Sequence, residues 1–231
     1  MLKPWRDLPR DLRIPEVRPY YEILYRRRGS LLIKRGFDFS VSFIMLILLF
    51  PVMAAIAVMI KLDSRGPVFY RQERVTAGGK VFRIYKFRTM VTDADKKGAR
   101  LTQDGDPRIT GMGKKLRGLR LDELPQLINI LKGEMSFVGT RPEVLEYVRK
   151  YKPEWRATLL LPAGVTSLAS VKYRHEDEEL EKLMQSGMSL DKAYLQCILP
   201  EKMKYNLDEM KGFTVFHDMG ILIRTVFAVL H

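Results

Sequence analysis

The sequence contains one cysteine, Cys197, and only three histidines, His175, His217 and His231. A single cysteine excludes a disulfide-stabilised scaffold and a thiolate zinc site. Three scattered histidines argue against a histidine metal centre. We therefore expect a reduced, cytoplasm-facing body that carries no such metal site.

Acidic residues are fewer than basic ones: the sequence has 27 Asp and Glu and 40 Lys and Arg, which gives a net charge of +13. The expected partner is therefore anionic: a nucleic acid, an anionic lipid or a phosphorylated metabolite. Hydrophobic residues make up 46% of the 231 residues, which excludes a disordered chain. The length suits one main domain with at most one additional element, and we find no internal repeat.

The longest stretch without a charge covers residues 39–60, and its 22 residues are enough for a membrane helix. The 38 residues before it carry ten basic and five acidic side chains, a pattern unlike a cleaved signal peptide. We therefore expect the apolar segment to be retained. Both of its flanks are basic, although loops rich in Lys and Arg normally stay in the cytoplasm.

Pro51 divides this segment into arms of about 18 Å and about 14 Å, each shorter than a hydrocarbon core of roughly 30 Å. An interior proline removes a backbone hydrogen bond and kinks a helix. A re-entrant helix-break-helix that enters and leaves on one side fits the two short arms and the two basic flanks. A single membrane span and a buried helix of a soluble protein are the alternatives.

Further elements are predicted along the rest of the chain. Two β-rich runs around the turn at residues 77–80 predict a hairpin. Pro142 suits the first turn of a helix reaching about residue 152, and residues 176–185 and 190–199 suggest two more helices. A final amphipathic helix has one apolar stripe, for which core packing and a membrane interface are both possible: Met219, Leu222, Ile223, Val226, Phe227 and Leu230.

The segment LDELPQ places two adjacent carboxylates, Asp122 and Glu123, just before Pro125. Proline is tolerated in the first turn of a helix, so this pair is predicted at a helix N-terminus. A helix cap is the alternative explanation for Asp122. A carboxylate can also attack phosphorus to give an acyl phosphate, and Mg²⁺ bound through one or two carboxylates would accompany that chemistry.

Cations surround the acidic pair in the sequence, and Arg117, Arg120 and Arg141 are the nearest in helix or turn contexts. Lys86 and Arg88 share one strand face by period-two alternation, so both can point at one ligand. Arg side chains match phosphate geometry well. A solvated basic pair on a strand surface is the alternative for Lys86 and Arg88.

The sequence resembles the monotopic phosphoglycosyl transferases, bacterial sugar transferases that load a phosphosugar onto polyprenyl phosphate. The resemblance covers residues 34–171 and rests on KRGFD, GPVFYRQER, YKFRTM, DPRIT and the long block LDELPQLINILKGEMSFVGTRP. It implies that Asp122 is the nucleophile and that Glu123 helps to hold Mg²⁺. It also aligns Lys86, Arg88, Arg117 and Arg141 with basic positions around the substrate.

The resemblance further implies a mostly helical α+β monotopic membrane protein with a helix broken near Pro51, a small β-hairpin and surface amphipathic helices. Residues 1–33 would form a basic N-terminal arm, residues 34–62 the re-entrant membrane helix and residues 63–231 the catalytic domain. That domain would lie on the cytoplasmic face of the bacterial inner membrane. A UDP-sugar and polyprenyl phosphate would be the substrates, with UMP released, and a homodimer is possible.

The sequence departs from the family pattern at two places. Thr140 replaces the usual proline of a Gly-Pro-Arg-Pro turn, and residues 163–170 read AGVTSLAS where PGITGLAQ is usual. Two other classes compete with an enzyme: a nucleic-acid-binding membrane adaptor and a structural membrane-surface protein. We find no zinc, helix-turn-helix or RNA-binding motif, so we expect no nucleic-acid partner.

Overall fold

The computed structural model describes residues 2–92, 94 and 106–230. This part of the chain is mostly helical, with two pairs of short strands. The strands are β1 (Phe69–Thr76), β2 (Lys80–Phe87), β3 (Met135–Val138) and β4 (Ala163–Thr166). The α-helices are α1 (Arg18–Arg26), α2 (Arg28–Asp63), α3 (Gly111–Gly118), α4 (Gln126–Lys132), α5 (Leu145–Val148), α6 (Leu168–Lys172), α7 (Glu176–Gln185), α8 (Leu190–Ala193), α9 (Leu199–Lys211) and α10 (Val215–Leu230).

The predicted hairpin is confirmed by the antiparallel pair β1 and β2, whose register runs from Phe69 opposite Phe87 to Thr76 opposite Lys80. The turn needs left-handed backbone at Gly78 and Gly79, with φ of 71° and 68°. A second, parallel pair joins β3 to β4. It was not predicted, because strands of four residues buried on both faces have no visible alternation.

The largest core cluster joins the first 30 residues to the C-terminal helices. Leu12, Val17 and Leu24 are buried against Met203 and Leu207 of α9. The segment predicted as a basic N-terminal arm therefore contributes apolar side chains to the core. Helix α2 begins at Arg28, so the predicted boundary between residues 33 and 34 falls inside a helix.

Helix α2 is one continuous helix of 36 residues with Pro51 inside it. The predicted separation into two helices at Pro51 is wrong for this backbone. One face of α2 packs on the domain on both sides of the proline: Leu46 and Leu49 contact the cluster of Phe82 and Ile84, and further along the helix Ile56 and Ile60 join Phe87. Because this packing continues past Pro51, the loss of one backbone hydrogen bond does not end the helix.

The other face of α2 is apolar and exposed. It carries Phe39, Phe43, Ile44, Ile47, Leu48, Phe50, Val52, Val58, Met59 and Leu62. Only 11% of its most apolar 18-residue window is buried, so the alternative of a buried soluble helix is wrong. By length and composition α2 is the one helix in the described residues that could cross a membrane.

Both ends of α2 are fastened to the same folded body. Near the start, Lys34 Nζ donates to the Val138 carbonyl at 2.9 Å and pairs with Asp218 of α10. Arg35 donates to the last carbonyls of α4 at 2.7 and 2.9 Å. At the other end, Asp63 Oδ2 accepts from the Met112 amide at 3.2 Å.

Four further expectations meet different outcomes. Helix α7 is found at residues 176–185 as predicted, but the helix expected from Pro142 is reduced to Leu145–Val148. Residues 190–199 divide into α8, a π-helix at Tyr194–Ile198 and the start of α9. The apolar stripe of α10 is not core, because Ile223, Val226 and Phe227 are more than half exposed; the side chain of Leu230 lies outside the described part.

Candidate active site

Asp122 and Glu123 lie on a 3₁₀ turn, Leu121–Glu123, that leads through Pro125 into α4. This confirms the predicted position of the acidic pair at the start of a helical segment. Asp122 does not cap α4, since Pro125 occupies that position and no side chain bonds there. Arg120, just before the turn, has φ of 56° and is the one non-glycine with positive φ among the described residues.

Glu123 is held by two cations. Its Oε1 accepts from Lys86 Nζ at 2.9 Å and from Arg141 Nη2 at 2.6 Å. Burial opposes the ionisation of Glu123, but these two charges and hydrogen bonds outweigh burial and hold its pKa well below the usual range. Glu123 is therefore a fixed anion that also orients Lys86 and Arg141.

Asp122 is also buried, next to Glu123 in the sequence, but its contacts differ from those of Glu123. Within the described residues its carboxylate forms no hydrogen bond or ion pair with another side chain. Burial raises the pKa of Asp122, and the charge of Glu123 adds to this, while Lys86 and Arg117 act in the opposite direction. One carboxylate of the pair is thus immobilised, and its neighbour remains available to a ligand.

Asn129 places Lys86 beside the acidic pair. Its Oδ1 accepts from the Tyr85 amide at 2.9 Å, and its Nδ2 donates to the Arg83 carbonyl at 3.0 Å. These bonds join β2 to α4 immediately before Lys86. Sequence reasoning missed this residue, although an asparagine within the apolar run of α4 was a usable signal, because buried amides must be hydrogen-bonded.

The four predicted basic residues do not all meet. Lys86 and Arg141 converge on Glu123, and Arg117 acts electrostatically on Asp122. Arg88 instead donates to the Ser64 carbonyl at 2.7 Å and to the Arg65 carbonyl at 3.0 Å. Strand β2 ends at Phe87, so alternation no longer fixes the direction of Arg88. The expected convergence of Lys86 and Arg88 on one ligand is not seen.

Close backbone contact supports the turn that carries Arg141. The Gly164 amide donates to the Thr140 carbonyl at 2.9 Å, and the Gly139 amide donates to the Thr166 carbonyl at 2.9 Å. A Cβ at Gly164 would meet the backbone N and O of Gly139 at 2.2 Å. The segment at residues 163–170, which departs from the family pattern, therefore has at its second position the glycine on which this turn rests, Gly164.

The donor set for Mg²⁺ is small. The described residues contain no group of three or more His, Cys, Asp or Glu side chains arranged to hold a metal ion. Magnesium commonly binds through one or two carboxylates and completes its shell with water and substrate phosphate. Asp122 and Glu123 fit that kind of site and do not fit a closed protein cage.

Comparison with known proteins identifies relatives along most of the chain. A family profile described as "Bacterial sugar transferase" matches residues 29–231. An exopolysaccharide production protein, PSS, from Rhizobium leguminosarum bv. phaseoli is 40% identical over 208 residues, which are 87% of this chain and 96% of that protein.

Two larger relatives carry more specific names. A UDP-N-acetylgalactosamine-undecaprenyl-phosphate N-acetylgalactosaminephosphotransferase from Aeromonas hydrophila is 36% identical over 86% of this chain. A UDP-glucose:undecaprenyl-phosphate glucose-1-phosphate transferase from Escherichia coli K12 is 35% identical over 85%. The matched region spans only 44% and 40% of the length of these two proteins.

Proposed function

We propose that this chain, which belongs to the bacterial sugar transferase family, transfers a phosphosugar from a UDP-sugar to polyprenyl phosphate and releases UMP. The observation that carries the proposal is the asymmetry of the acidic pair. Glu123 is occupied by Lys86 and Arg141, whereas Asp122 is buried and forms no side-chain hydrogen bond or ion pair with any other residue that the structure describes. A carboxylate available in this way is suited to nucleophilic attack.

In the first step, a carboxylate oxygen of Asp122 attacks the phosphorus that carries the sugar. The bond between this phosphorus and the oxygen bridging to UMP breaks, UMP leaves with that electron pair, and an aspartyl-phosphosugar forms. Lys86 and Arg141 lie where negative charge develops, and Arg117 adds a third cation close to Asp122. Burial of Asp122 raises its pKa, and a more basic carboxylate is a stronger nucleophile once it is ionised.

In the second step, an oxygen of polyprenyl phosphate attacks the same phosphorus. The bond to Asp122 breaks, the carboxylate is regenerated, and a polyprenyl diphosphosugar is released. Asp122 and Glu123 are the residues that would hold Mg²⁺, which would neutralise charge on the phosphates. Relatives named for transfer to undecaprenyl phosphate support this choice of acceptor.

We also propose that α2 bends at Pro51 without a break in its helix, and that it enters and leaves the membrane on one side with its exposed apolar face in lipid. The folded domain packs against α2 on both sides of Pro51, since Leu46 and Ile60 both contact the domain. A full span would draw β2 and α4 into the hydrocarbon, together with the exposed charges of Lys80 and Arg83. The exposed stripe of α10 would lie in the interface of the same membrane face, which we place on the cytoplasmic side.

The transfer is tested by measuring UMP release from purified protein with Mg²⁺ and a panel of UDP-sugars, with and without undecaprenyl phosphate. We expect a stoichiometric burst without lipid, continuous release with it, and neither in Asp122→Asn. Silence of folded protein across the panel would contradict the proposal. Topology is tested separately with terminal tags, which must be accessible from the same side of the membrane; accessibility from opposite sides would contradict the re-entrant course.

A further inference from the structure

A buried hydrogen bond lies behind the turn that carries Arg141. The hydroxyl of Tyr194 donates to the carboxylate of Glu143, and both residues are more than nine-tenths buried. Glu143 follows Arg141 by two residues, so the bond holds the exit of the turn. Tyr194 comes from the C-terminal helices, beyond the motifs that predicted the site.

The same exit is held by strand β1. Arg74 Nη1 donates to the Pro142 carbonyl at 3.2 Å, and the Val75 amide donates to the Glu143 carbonyl at 2.9 Å. The two residues after Arg141 are therefore fixed through their backbones by β1. Tyr194 supplies the side-chain bond to the Glu143 carboxylate.

Tyr194 is itself placed by an unusual local backbone. It opens the π-helix Tyr194–Ile198 between α8 and α9, and Lys202 Nζ lies 3.5 Å from its hydroxyl. Lys202 pairs with Glu176 at 2.8 Å. Single π-helical turns are rare and occur often at functional sites. Here the π-helix begins at Tyr194, the residue whose hydroxyl donates to Glu143.

We propose that Tyr194 is a positioning residue: through Glu143 it holds the turn of residues 139–142 so that Arg141 keeps its hydrogen bond to Glu123. Loss of the hydroxyl leaves the buried Glu143 carboxylate without this donor, and the turn that bears Arg141 loses a constraint. The inference concerns the geometry of the Glu123–Arg141 pair, and only its effect on rate rests on the proposed function.

The first test compares Tyr194→Phe with Tyr147→Phe. The ring of Tyr147 packs 5.2 Å from that of Tyr194, but its hydroxyl donates to Asp191, away from the turn. We expect Tyr194→Phe to slow the UMP burst about tenfold, the size that one buried hydrogen bond allows, and Tyr147→Phe to change it less than about twofold. Equal slowing by both variants would overturn the proposal.

A second test asks whether Tyr194 acts through Arg141. In an Arg141→Lys background, Tyr194→Phe should slow the burst less than about twofold, because effects on one shared interaction are not additive. A full additional tenfold loss would overturn the proposal. Glu143→Gln, which keeps an acceptor for the Tyr194 hydroxyl, should retain more of the rate than Glu143→Leu; equal losses would contradict a role for this hydrogen bond.

A third readout does not depend on turnover. The coupling between Glu123 and Arg141 is measured by unfolding the single and double Gln variants, first with Tyr194 and then with Phe at that position. We expect the coupling to fall by at least half in the Phe background, and an unchanged coupling would overturn the proposal. If the wild type releases no UMP, the proposed function fails, and this coupling still decides the role of Tyr194.

Discussion

Arg141 Nη2 donates to Glu123 Oε1 at 2.6 Å and joins two segments that are eighteen residues apart in the sequence. Lys86 reaches the same oxygen from β2. Three elements therefore meet at one carboxylate, and within the described part of the chain the neighbouring Asp122 has no side-chain partner. This division of roles within an acidic pair is the structural basis of the proposed chemistry.

Removal of the Arg141 charge should disable the site without unfolding the protein. In Arg141→Gln, Glu123 keeps Lys86 but loses its second charged partner, and the site loses a cation near the reacting phosphate. We expect the UMP burst to slow by roughly 100-fold, as when one preorganised donor is removed from a reaction centre. Arg149→Gln, an exposed charge in the same region, is the control and should react normally.

The pH dependence of the burst should report Asp122. Because burial raises its pKa, the ionised nucleophile is lost at a higher pH than for an ordinary aspartate, and the rate should rise with pH through that range. Arg117 lowers the pKa of Asp122, so Arg117→Gln should move this acid limb to higher pH. Lys114→Gln, an exposed change on the same helix, should leave the limb in place; an unmoved limb in Arg117→Gln would contradict the assignment.

Asn129 should matter for both stability and rate. Asn129→Leu leaves the Tyr85 amide and the Arg83 carbonyl without their side-chain partner inside the fold. We expect the free energy of unfolding to fall by about 2–3 kcal/mol. The burst should also slow, because Lys86 is no longer held beside Glu123. Ile128→Leu is the matched control in the same helix turn, and equal effects of the two changes would count against the role of Asn129.

Glu209 should make the stability of the protein depend on pH. Burial raises the pKa of this carboxyl from 4.5 to about 7, so the fold favours its protonated form. The stabilisation of the fold by protonated Glu209 is fully present below about pH 4.5 and is lost as the pH rises through about 7. Relative to Glu209→Gln, the wild type should lose on the order of 3 kcal/mol of unfolding free energy across this range.

Unfolding in detergent at pH 5 and pH 8 checks this difference. Asp208→Asn, an exposed change on the same helix, is the control and should follow the wild type. A wild type and a Glu209→Gln variant that respond identically to pH would contradict the prediction.

Local patterns in the sequence were enough to predict the hairpin, α7 and the position of the acidic pair. The hairpin turn needs glycine at positive φ, and the acidic pair precedes a proline that suits a first helical turn. Such features depend on neighbours in the sequence. They were therefore visible without knowledge of the packing.

Features that depend on tertiary contacts were missed or wrong. The continuity of α2 through Pro51 follows from packing along one face, which no local rule contains. Arg88 points to Ser64 because β2 has already ended. The parallel pair β3 and β4 and the Tyr194–Glu143 bond join segments that are distant in the sequence, and a single sequence carries no direct signal for such contacts.

The central claim is that Asp122 becomes covalently attached to the phosphosugar, and mass spectrometry tests it directly. Protein incubated with a UDP-sugar that gives a burst, without acceptor lipid, is quenched and digested. We predict that the peptide containing Asp122 gains the mass of the phosphosugar, and that addition of undecaprenyl phosphate removes this gain. A burst of UMP with no modified peptide, or with the modification on another residue, would contradict the account.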